Sequence, residues 1–369
     1  MDTDATARGA VSRRSRLLAV DVEHLFRRYG LYIATMAALV GLKWRGGYDL
    51  EAFLAAAKVV ALGGDPYAAT YAAGVSEWGT TQVYVSPPFV AWALSPFANL
   101  PSDVVFAGLS IAGLLAVLGA VYLIDRDRLP RRAPSMVFGL TYVWASLFLG
   151  QVNLFVLAGL LLALGCRRNA AAGLGLALAV ALRASPAAFG LVLALERRWR
   201  ALGWAALAMA VVIALQPERW LEFVDIARSA GTLPTLDVPV QTSVAAMPVV
   251  WWLVAVGVVV IVGASVLSKA NRPLLAGTAI GLALVLLPTN AWHHWFAFAL
   301  APLVLDGDRT TWSRWALLSF VAVSFLPMGW PSVAVSLVVL LAMLSTSVRG
   351  VIAARRVSGP DPAGILGAP

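Results

Sequence analysis

The chain has 369 residues, 60% of them hydrophobic and 13% charged, and its mean hydropathy is +0.81. This composition supplies too little polar surface to cover a soluble globule of that length, so it excludes the soluble classes and predicts an integral membrane protein. The net charge of +9 does not indicate a nucleic-acid-binding surface, because the basic residues fall in short clusters between apolar runs.

The N-terminal segment and the cysteine give the first indications of sidedness. Residues 1–28 contain six Arg and no apolar core or small-residue cleavage site, so they predict a retained basic tail rather than a signal peptide. The single cysteine, Cys166, excludes an intramolecular disulfide. Its position beside Arg167 and Arg168 predicts a reduced, cytoplasmic edge.

Apolar runs predict an all-α integral membrane fold of about twelve transmembrane helices. In chain order the runs lie at about residues 29–45, 102–124, 134–149, 152–166, 170–183, 186–196, 200–215, 248–268, 273–288, 293–305, 313–327 and 330–347. Several are shorter than the roughly 20 residues that span a bilayer, so broken or partly inserted helices are expected among them. The small residues around Gly173 and Gly175 predict close helix packing.

The basic residues orient this topology. Of the 28 Lys and Arg, 22 fall on one side of a twelve-helix arrangement, which identifies that side as cytoplasmic and places both termini there. The arrangement requires residues 86–97 to form a short helix at the outer interface, because a crossing there would move the next Arg cluster outside. The predicted parts are a cytoplasmic tail at 1–28, one transmembrane domain at 29–347 with outer loops at about 43–101 and 216–247, and a cytoplasmic tail at 348–369.

The first outer loop gathers acidic and aromatic residues. Asp49 precedes an apolar helical segment, so it is either the N-cap of that helix or a general base at the membrane surface. The run Gly63-Gly64-Asp65-Pro66-Tyr67 first of all predicts a turn. Asp65 and Tyr67 contribute to binding only if both face the same cavity as Asp49.

Three short outer turns interrupt the apolar hairpins at the same membrane level. Gln151 and Asn153 in the first turn either satisfy the backbone of a broken helix or contact a sugar. Arg183 in the second either snorkels to the interface or binds an anionic head group with its forked donors. His293 and His294 in the third are either interfacial or bind a phosphate. Adjacent helical side chains point about 100° apart, which disfavours a shared metal ion.

The same segments, taken in order, carry a family resemblance. They are Gly47-Tyr48-Asp49, Gly63-Gly64-Asp65-Pro66-Tyr67, Tyr84 to Phe89 with Leu94-Ser95-Pro96-Phe97, Gly150-Gln151-Val152-Asn153, Leu182-Arg183-Ala184-Ser185-Pro186, Gln241-Thr242-Ser243, and Pro288 with His293-His294. Together, over about residues 30–305, they resemble glycosyltransferase family 87, which includes polyprenol-phosphate-mannose-dependent α-1,2-mannosyltransferases. The chain departs from the family pattern at Arg183, where Lys is usual, at Gln241-Thr242, where the amide is shifted, and at residues 290–292, where a Ser-Trp spacing is lost.

The resemblance implies a GT-C fold, in which the first outer loop forms interfacial helices beside the active site. It implies inverting transfer of a hexose, mannose in the family's typical members, from a polyprenyl-phosphate sugar to a hydroxyl of a glycolipid or glycan acceptor at the outer face of the cell membrane. Asp49 would be the general base, and Arg183 with His293 or His294 would stabilise the leaving phosphate. The residues expected to bind the sugar or the acceptor are Asp65, Tyr67, Tyr84, Gln151, Asn153, Gln241 and Ser243.

The expected partners are therefore the lipid-linked donor, the acceptor and membrane lipid, without nucleic acid. The sequence contains no Walker loop, dinucleotide-binding glycine motif, Cys/His metal spacing or nucleophile elbow, so no metal and no cofactor is predicted. The competing hypothesis is a twelve-helix secondary transporter or a sugar-lipid flippase. Such carriers show two similar halves with polar residues at the midplane, whereas the polar residues here lie at one face, which favours the transferase.

Overall fold

The computed structural model describes ten segments of the chain. They are residues 48–67, 74–75, 81–82, 84–124, 146, 150–229, 247–267, 273–288, 297–306 and 330–357, all within one compact unit at residues 46–369. The predicted cytoplasmic tail at 1–28 and the predicted helices at 29–45 and 313–327 lie outside the described residues, as does the run at 134–149 except for Ser146.

The regular elements of the described segments are helices apart from one pair of two-residue strands. The helices are α1 (Tyr48–Ala61), α2 (Pro88–Leu94), α3 (Ser102–Leu123), α4 (Asn153–Gly165), α5 (Asn169–Leu182), α6 (Gly190–Leu195), α7 (Trp199–Leu215), α8 (Pro217–Ser229), α9 (Pro248–Leu267), α10 (Pro273–Leu286), α11 (Ala297–Asp306) and α12 (Trp330–Val357). The strands β1 (Gly74–Val75) and β2 (Thr81–Gln82) pair antiparallel, with Gly74 opposite Gln82. Two short 3-10 helices, Ser95–Phe97 and Ser185–Phe189, complete the described elements.

Two of these helices, α3 and α9, are long and apolar enough to cross a membrane. A third span results only if α7 and α8 are counted together, although their axes differ by 100°. The other apolar helical stretches of the described segments have 10–17 residues, including Val333–Arg349 within α12, and the sequence predicted such short runs at several places. The apolar helices agree with a membrane protein, while the count of twelve crossings and the orientation of the termini stay predictions.

The described helices follow the apolar runs closely at most ends, because a helix built from lipid-facing and core-facing residues ends where the apolar sequence ends. The exception is α12, which continues to Val357, ten residues past the predicted boundary at 347. Residues 348–357 carry Arg349, Arg355 and Arg356 but no proline, so the chain stays helical after its hydrophobicity falls.

The segment predicted as the first outer loop contains the short helix that the predicted topology requires. α2 and the 3-10 helix Ser95–Phe97 together span ten residues, about 15 Å of helix against about 30 Å of hydrocarbon. The two prolines explain why this helical segment is short. Pro88 suits the first turn of α2, and Pro96 in the 3-10 helix prevents α2 from continuing.

The segment predicted as the second outer loop contains a helix instead of an irregular loop at its start. Pro217 lacks the amide hydrogen that would continue α7, and the chain turns there into α8. In α8, Phe223 is buried while Leu221 and Val224 are exposed. The alternation of charged and apolar residues within residues 217–229 is the sequence signal for this amphipathic helix.

The α4–α5 pair forms a tight antiparallel hairpin joined by Cys166, Arg167 and Arg168. A Cβ on Gly159 of α4 would lie 2.5 Å from the carbonyl oxygen of Gly175 on α5, and one on Gly175 would lie 2.6 Å from that of Gly159. Only glycine therefore permits this helix crossing, as the small-residue pattern predicted.

The joint of the hairpin is closed by Arg198. Its guanidinium donates to the carbonyl of Ala163 at 3.1 Å and also to that of Cys166. These carbonyls at the end of α4 have no following helical turn to bond them, so a cation there stabilises the helix terminus. Cys166 itself is buried and forms no disulfide.

Candidate active site

Asp49 lies in the first turn of α1, which begins at Tyr48. The N-cap interpretation of this residue is therefore wrong, because a cap precedes the first helical residue. Leu50, Phe53, Leu54 and Ala57 of α1 are at most 7% exposed and recur at i, i+3, i+4 and i+7. This apolar stripe packs α1 into the protein and holds Asp49 at its edge, where the side chain is half-buried.

The first short turn positions Gln151 through a helix C-cap. Gly150 has a φ of 64°, in the left-handed region that favours glycine, and the amide of Gln151 donates to the carbonyl of the helical residue Ser146 at 2.9 Å. A left-handed glycine with this long-range amide bond marks a Schellman motif. Gln151 follows directly and is 5% exposed, so the turn presents its side chain inside the protein.

The α4–α5 hairpin explains why Gln151 and Arg183 meet. Gln151 precedes Gly159 by eight residues and Arg183 follows Gly175 by eight residues. Because the two glycines are in contact and the helices are antiparallel, an equal rise of about 12 Å brings both polar residues to the same level. At Arg183 the backbone leaves the helix with φ −149° and ψ 119°, which releases the side chain from the helix surface.

A side-chain amide connects Asp49 and Arg183. Gln151 donates from Nε2 to Oδ2 of Asp49, and its Oε1 accepts from Nη2 of Arg183 at 2.6 Å. Among the described residues Gln151 provides the hydrogen bond to the Asp49 side chain, and no direct ion pair between Asp49 and Arg183 accompanies it. The three residues come from α1, from the Gly150 turn and from the end of α5, and we call them the amide-bridged triad.

Burial raises the pKa of Asp49 from its ordinary 3.8 to about 6. The hydrogen bond from Gln151 and the positive charge of Arg183 act in the opposite direction and keep the pKa from rising further. A carboxylate with a pKa near 6 is ionised at neutral pH yet is a stronger base than a solvated one, so it is suited to accept a proton.

Tyr84 and Tyr67 pack beside α1, the helix that carries Asp49. The hydroxyl of Tyr84 donates to the carbonyl of Pro87 at 2.6 Å and accepts from the amide of Ala91 at 3.0 Å, and the ring is 1% exposed. The ring meets Phe53 of α1 edge to face, with centroids 6.2 Å apart. These contacts fasten the start of α2 to α1.

Tyr67 belongs with Phe53 and Tyr84 to an aromatic cluster. Its ring is tilted against that of Tyr84 at 5.5 Å, and its hydroxyl donates to the carbonyl of Ser86 at 2.8 Å. The loop that leaves α1 at Gly63 therefore returns to the Tyr84 ring, which packs against Phe53 of α1. The structure thus places Tyr67 and Tyr84 next to the candidate site, and their contact with a sugar stays a prediction.

Asp65 is engaged by the turn and by α8. Its Oδ1 accepts from the amide of Tyr67 at 2.8 Å, the bond of an Asx turn, and lies 3.2 Å from Nη1 of Arg219. Arg219 also bonds both oxygens of Glu222 at 2.9 Å. Asp65 therefore ties the loop that follows α1 to α8, a contact that the sequence analysis did not predict.

Asn153 is the most unusual polar residue of the described segments. It is 0% exposed at the start of α4, and neither Nδ2 nor Oδ1 has a hydrogen-bond partner among the residues that the structure describes. The expectation that it satisfies the backbone of a broken helix is therefore not met. A buried amide without a partner costs about 1–3 kcal/mol, which a polar ligand or an ordered water at this position would recover.

Four predicted site residues, His293, His294, Gln241 and Ser243, lie outside the described residues. Within the part of the chain that the structure describes, no group of three or more His, Cys, Asp or Glu side chains is arranged to hold a metal ion. The described candidate site consists of the amide-bridged triad, the aromatic cluster beside α1 and the buried amide of Asn153.

Comparison with known proteins identifies one family. The model of glycosyltransferase family 87 matches residues 84–273, more than half of the 369-residue chain. The matched segment includes Gln151, Asn153 and Arg183, whereas Asp49 precedes it. No curated protein and no solved structure matches. With more than half of its length matched, and with its apolar helices, the chain belongs to glycosyltransferase family 87 and is a membrane glycosyltransferase.

Proposed function

We propose that this glycosyltransferase moves a hexose, most simply mannose, from a polyprenyl-phosphate sugar to a hydroxyl of a glycolipid or glycan acceptor. The reaction takes place at the outer face of the cell membrane, inverts the anomeric centre and needs no cofactor. The amide-bridged triad supports this proposal, because it sets a carboxylate with a pKa near 6 beside a guanidinium. Membership of the family supports transfer rather than transport.

The acceptor side of the reaction requires a base. As the acceptor oxygen bonds to the anomeric carbon, Asp49 takes the hydroxyl proton. Gln151 is bonded to Oδ2, so Oδ1 is the oxygen that faces no described hydrogen-bond donor and receives the proton. General-base catalysis of this type contributes about 10²- to 10⁴-fold to the rate.

The donor side requires stabilisation of a leaving phosphate. When the bond from the anomeric carbon to the phosphate oxygen breaks, both electrons stay with the polyprenyl phosphate. Arg183 with His293 or His294 balances this charge in the proposal. A guanidinium has five N–H donors in a fixed fork, so its bond to Gln151 is compatible with a bond to phosphate.

Sugar or acceptor binding is proposed for the polar residues around the triad. Asn153 is the member with the clearest structural support, because both of its buried polar atoms lack a described partner. Tyr67 contributes aromatic surface, Tyr84 contributes by packing behind the Tyr67 ring, and Asp65 contributes by holding the loop of Tyr67 against α8. Gln241 and Ser243 are proposed on the family resemblance alone.

Purified protein incubated with radiolabelled polyprenyl-phosphate mannose and membrane lipids tests the proposal. A labelled glycolipid that appears with wild-type protein and not with Asp49→Asn supports it. Labelled donor that crosses a vesicle membrane unchanged, without a product, indicates a carrier and contradicts it. Parallel incubations with polyprenyl-phosphate glucose and galactose assign the hexose.

A further inference from the structure

We propose that Gln151 is a positioning residue for the transfer, a neutral spacer that orients Asp49 and keeps it from pairing directly with Arg183. This inference rests on the proposed function and assigns Gln151 a role other than sugar binding. It is carried by two hydrogen bonds of one amide to residues that are 102 and 32 positions away in the chain.

The two partners determine which side chains suit this position. A carboxylate only accepts hydrogen bonds and a guanidinium only donates them. A bridge between them needs one donor and one acceptor on the same rigid group, which the planar amide of Gln151 supplies. The chemistry also fixes the orientation of the amide, with Nε2 toward Asp49 and Oε1 toward Arg183.

Separation of the two charges matters for a base. An Arg within about 4–6 Å lowers the pKa of a carboxylate by 1–3 units, and a direct fork would also occupy both of its oxygens. With the amide between them, Asp49 retains one oxygen without a described donor and Arg183 still contributes its charge. The spacer thus preserves both the basicity of Asp49 and the cation for the leaving group.

The surroundings make the spacer rigid. Gln151 is 5% exposed, directly follows the Schellman glycine Gly150, and sits at the end of the α4–α5 hairpin that Gly159 and Gly175 lock together. A side chain held in this way loses little further freedom in the transition state, so it fixes Asp49 at little entropic cost.

Few other ionisable residues lie on the described elements around Asp49. On α1 they are Tyr48, Glu51 and Lys58, on α3 they are Asp103 and Tyr122, and α2 and the 3-10 helix Ser95–Phe97 carry none. Arg183 is the charged group whose effect on Asp49 is resolved. A change in the pH profile of the enzyme after substitution of Gln151 therefore reports on the triad.

The test compares Gln151→Met, which keeps the chain length without the amide, with Gln151→Glu and with the control Thr278→Val. Thr278 is equally buried and bonds the carbonyl of Leu274 within α10, so its variant measures the loss of an unrelated buried hydrogen bond. Transfer from radiolabelled polyprenyl-phosphate mannose is followed against pH at saturating and limiting acceptor.

Met at position 151 still separates the two charged groups but cannot donate the hydrogen bond that lowers the pKa of Asp49. For Gln151→Met we therefore expect the acid limb of the pH profile to move to higher pH, kcat to fall about 10- to 100-fold, and the acceptor KM to stay within about threefold. In Gln151→Glu the new carboxyl group can donate to Asp49 and accept from Arg183 only while it is protonated. The activity of this variant should therefore fall as pH rises, an alkaline limb that the wild-type pH profile lacks. Thr278→Val should behave as wild type.

Three results would overturn the spacer role. They are a wild-type kcat for Gln151→Met, a loss that falls on the acceptor KM alone, and a wild-type pH profile for Gln151→Glu. If Asp49→Asn is inactive while Gln151→Met is normal, only the spacer role fails. If Asp49→Asn retains its turnover, the proposed function fails first. Should Gln151→Met not fold, the pH profile of Gln151→Glu still decides.

Discussion

Substitution of Asp49 by Asn separates catalysis from stability. Asn keeps the shape of the side chain and its oxygen still accepts the bond from Gln151, but it cannot take a proton. If Asp49 is the base, the transfer rate falls by about 10²- to 10⁴-fold. Wild-type activity should also decrease about tenfold for each pH unit below about 6, where the carboxylate protonates, and the residual activity of the variant should lack this limb.

The stability of the same variant should move in the opposite direction. The rise in the pKa of Asp49 from 3.8 to about 6 corresponds to at most about 3 kcal/mol by which the fold disfavours the ionised carboxylate. The folded state binds this proton more tightly than the unfolded chain, so the free energy of unfolding decreases as pH rises from about 4 to about 6 and stays lower above that. Asn is neutral throughout, so the variant should be at least as stable as the wild type at pH 7.5.

The assay measures transfer and the thermal unfolding midpoint on the same detergent-solubilised samples, with Asp65→Asn beside Asp49→Asn. Asp65→Asn retains the Asx turn and loses only a partly exposed ion pair, worth about 0–1 kcal/mol, so its effect on transfer should be much smaller. Near-normal turnover of Asp49→Asn refutes the base assignment. A large drop in its unfolding midpoint refutes the argument from burial.

Other changes test the surrounding geometry. Arg183→Ala should weaken donor use far more than acceptor use, whereas Arg183→Lys keeps the charge and should stay within about tenfold of wild type; equal effects on both substrates would contradict phosphate binding. Asn153→Leu removes a buried amide that has no described hydrogen-bond partner, so it should raise the thermal unfolding midpoint and increase the KM of the sugar-bearing substrate. A lower unfolding midpoint would show that the amide has a partner. Gly159→Ala places a Cβ 2.5 Å from the carbonyl oxygen of Gly175, so it should lower the free energy of unfolding by about 1–3 kcal/mol and reduce activity. The control Gly203→Ala has nothing within 4 Å of its new Cβ and should be neutral or stabilising.

The comparison of α8 with α3 shows when a sequence pattern is enough to predict a helix. α3 was located to within one residue, because a long apolar run bounded by Pro101 and by a basic cluster specifies a helix without reference to the rest of the fold. The predicted second outer loop, residues 216–247, includes the residues that form α8, so the sequence pattern does not predict this helix. Its amphipathic spacing was visible in the sequence, but its packing depends on Asp65 pairing with Arg219, 154 positions later in the chain.

Hydrophobicity and motif order are local properties of the chain, so the sequence alone predicts the protein class, the family and most helix ends, and it suggests the candidate site residues. The fold was needed to place Asp49 inside α1 and to show that its neighbour is the amide of Gln151 and not Arg183 itself. Those relations depend on where α1 rests against the α4–α5 hairpin. Contacts between residues 102 positions apart follow from packing across several helices, which no periodicity within one helix encodes.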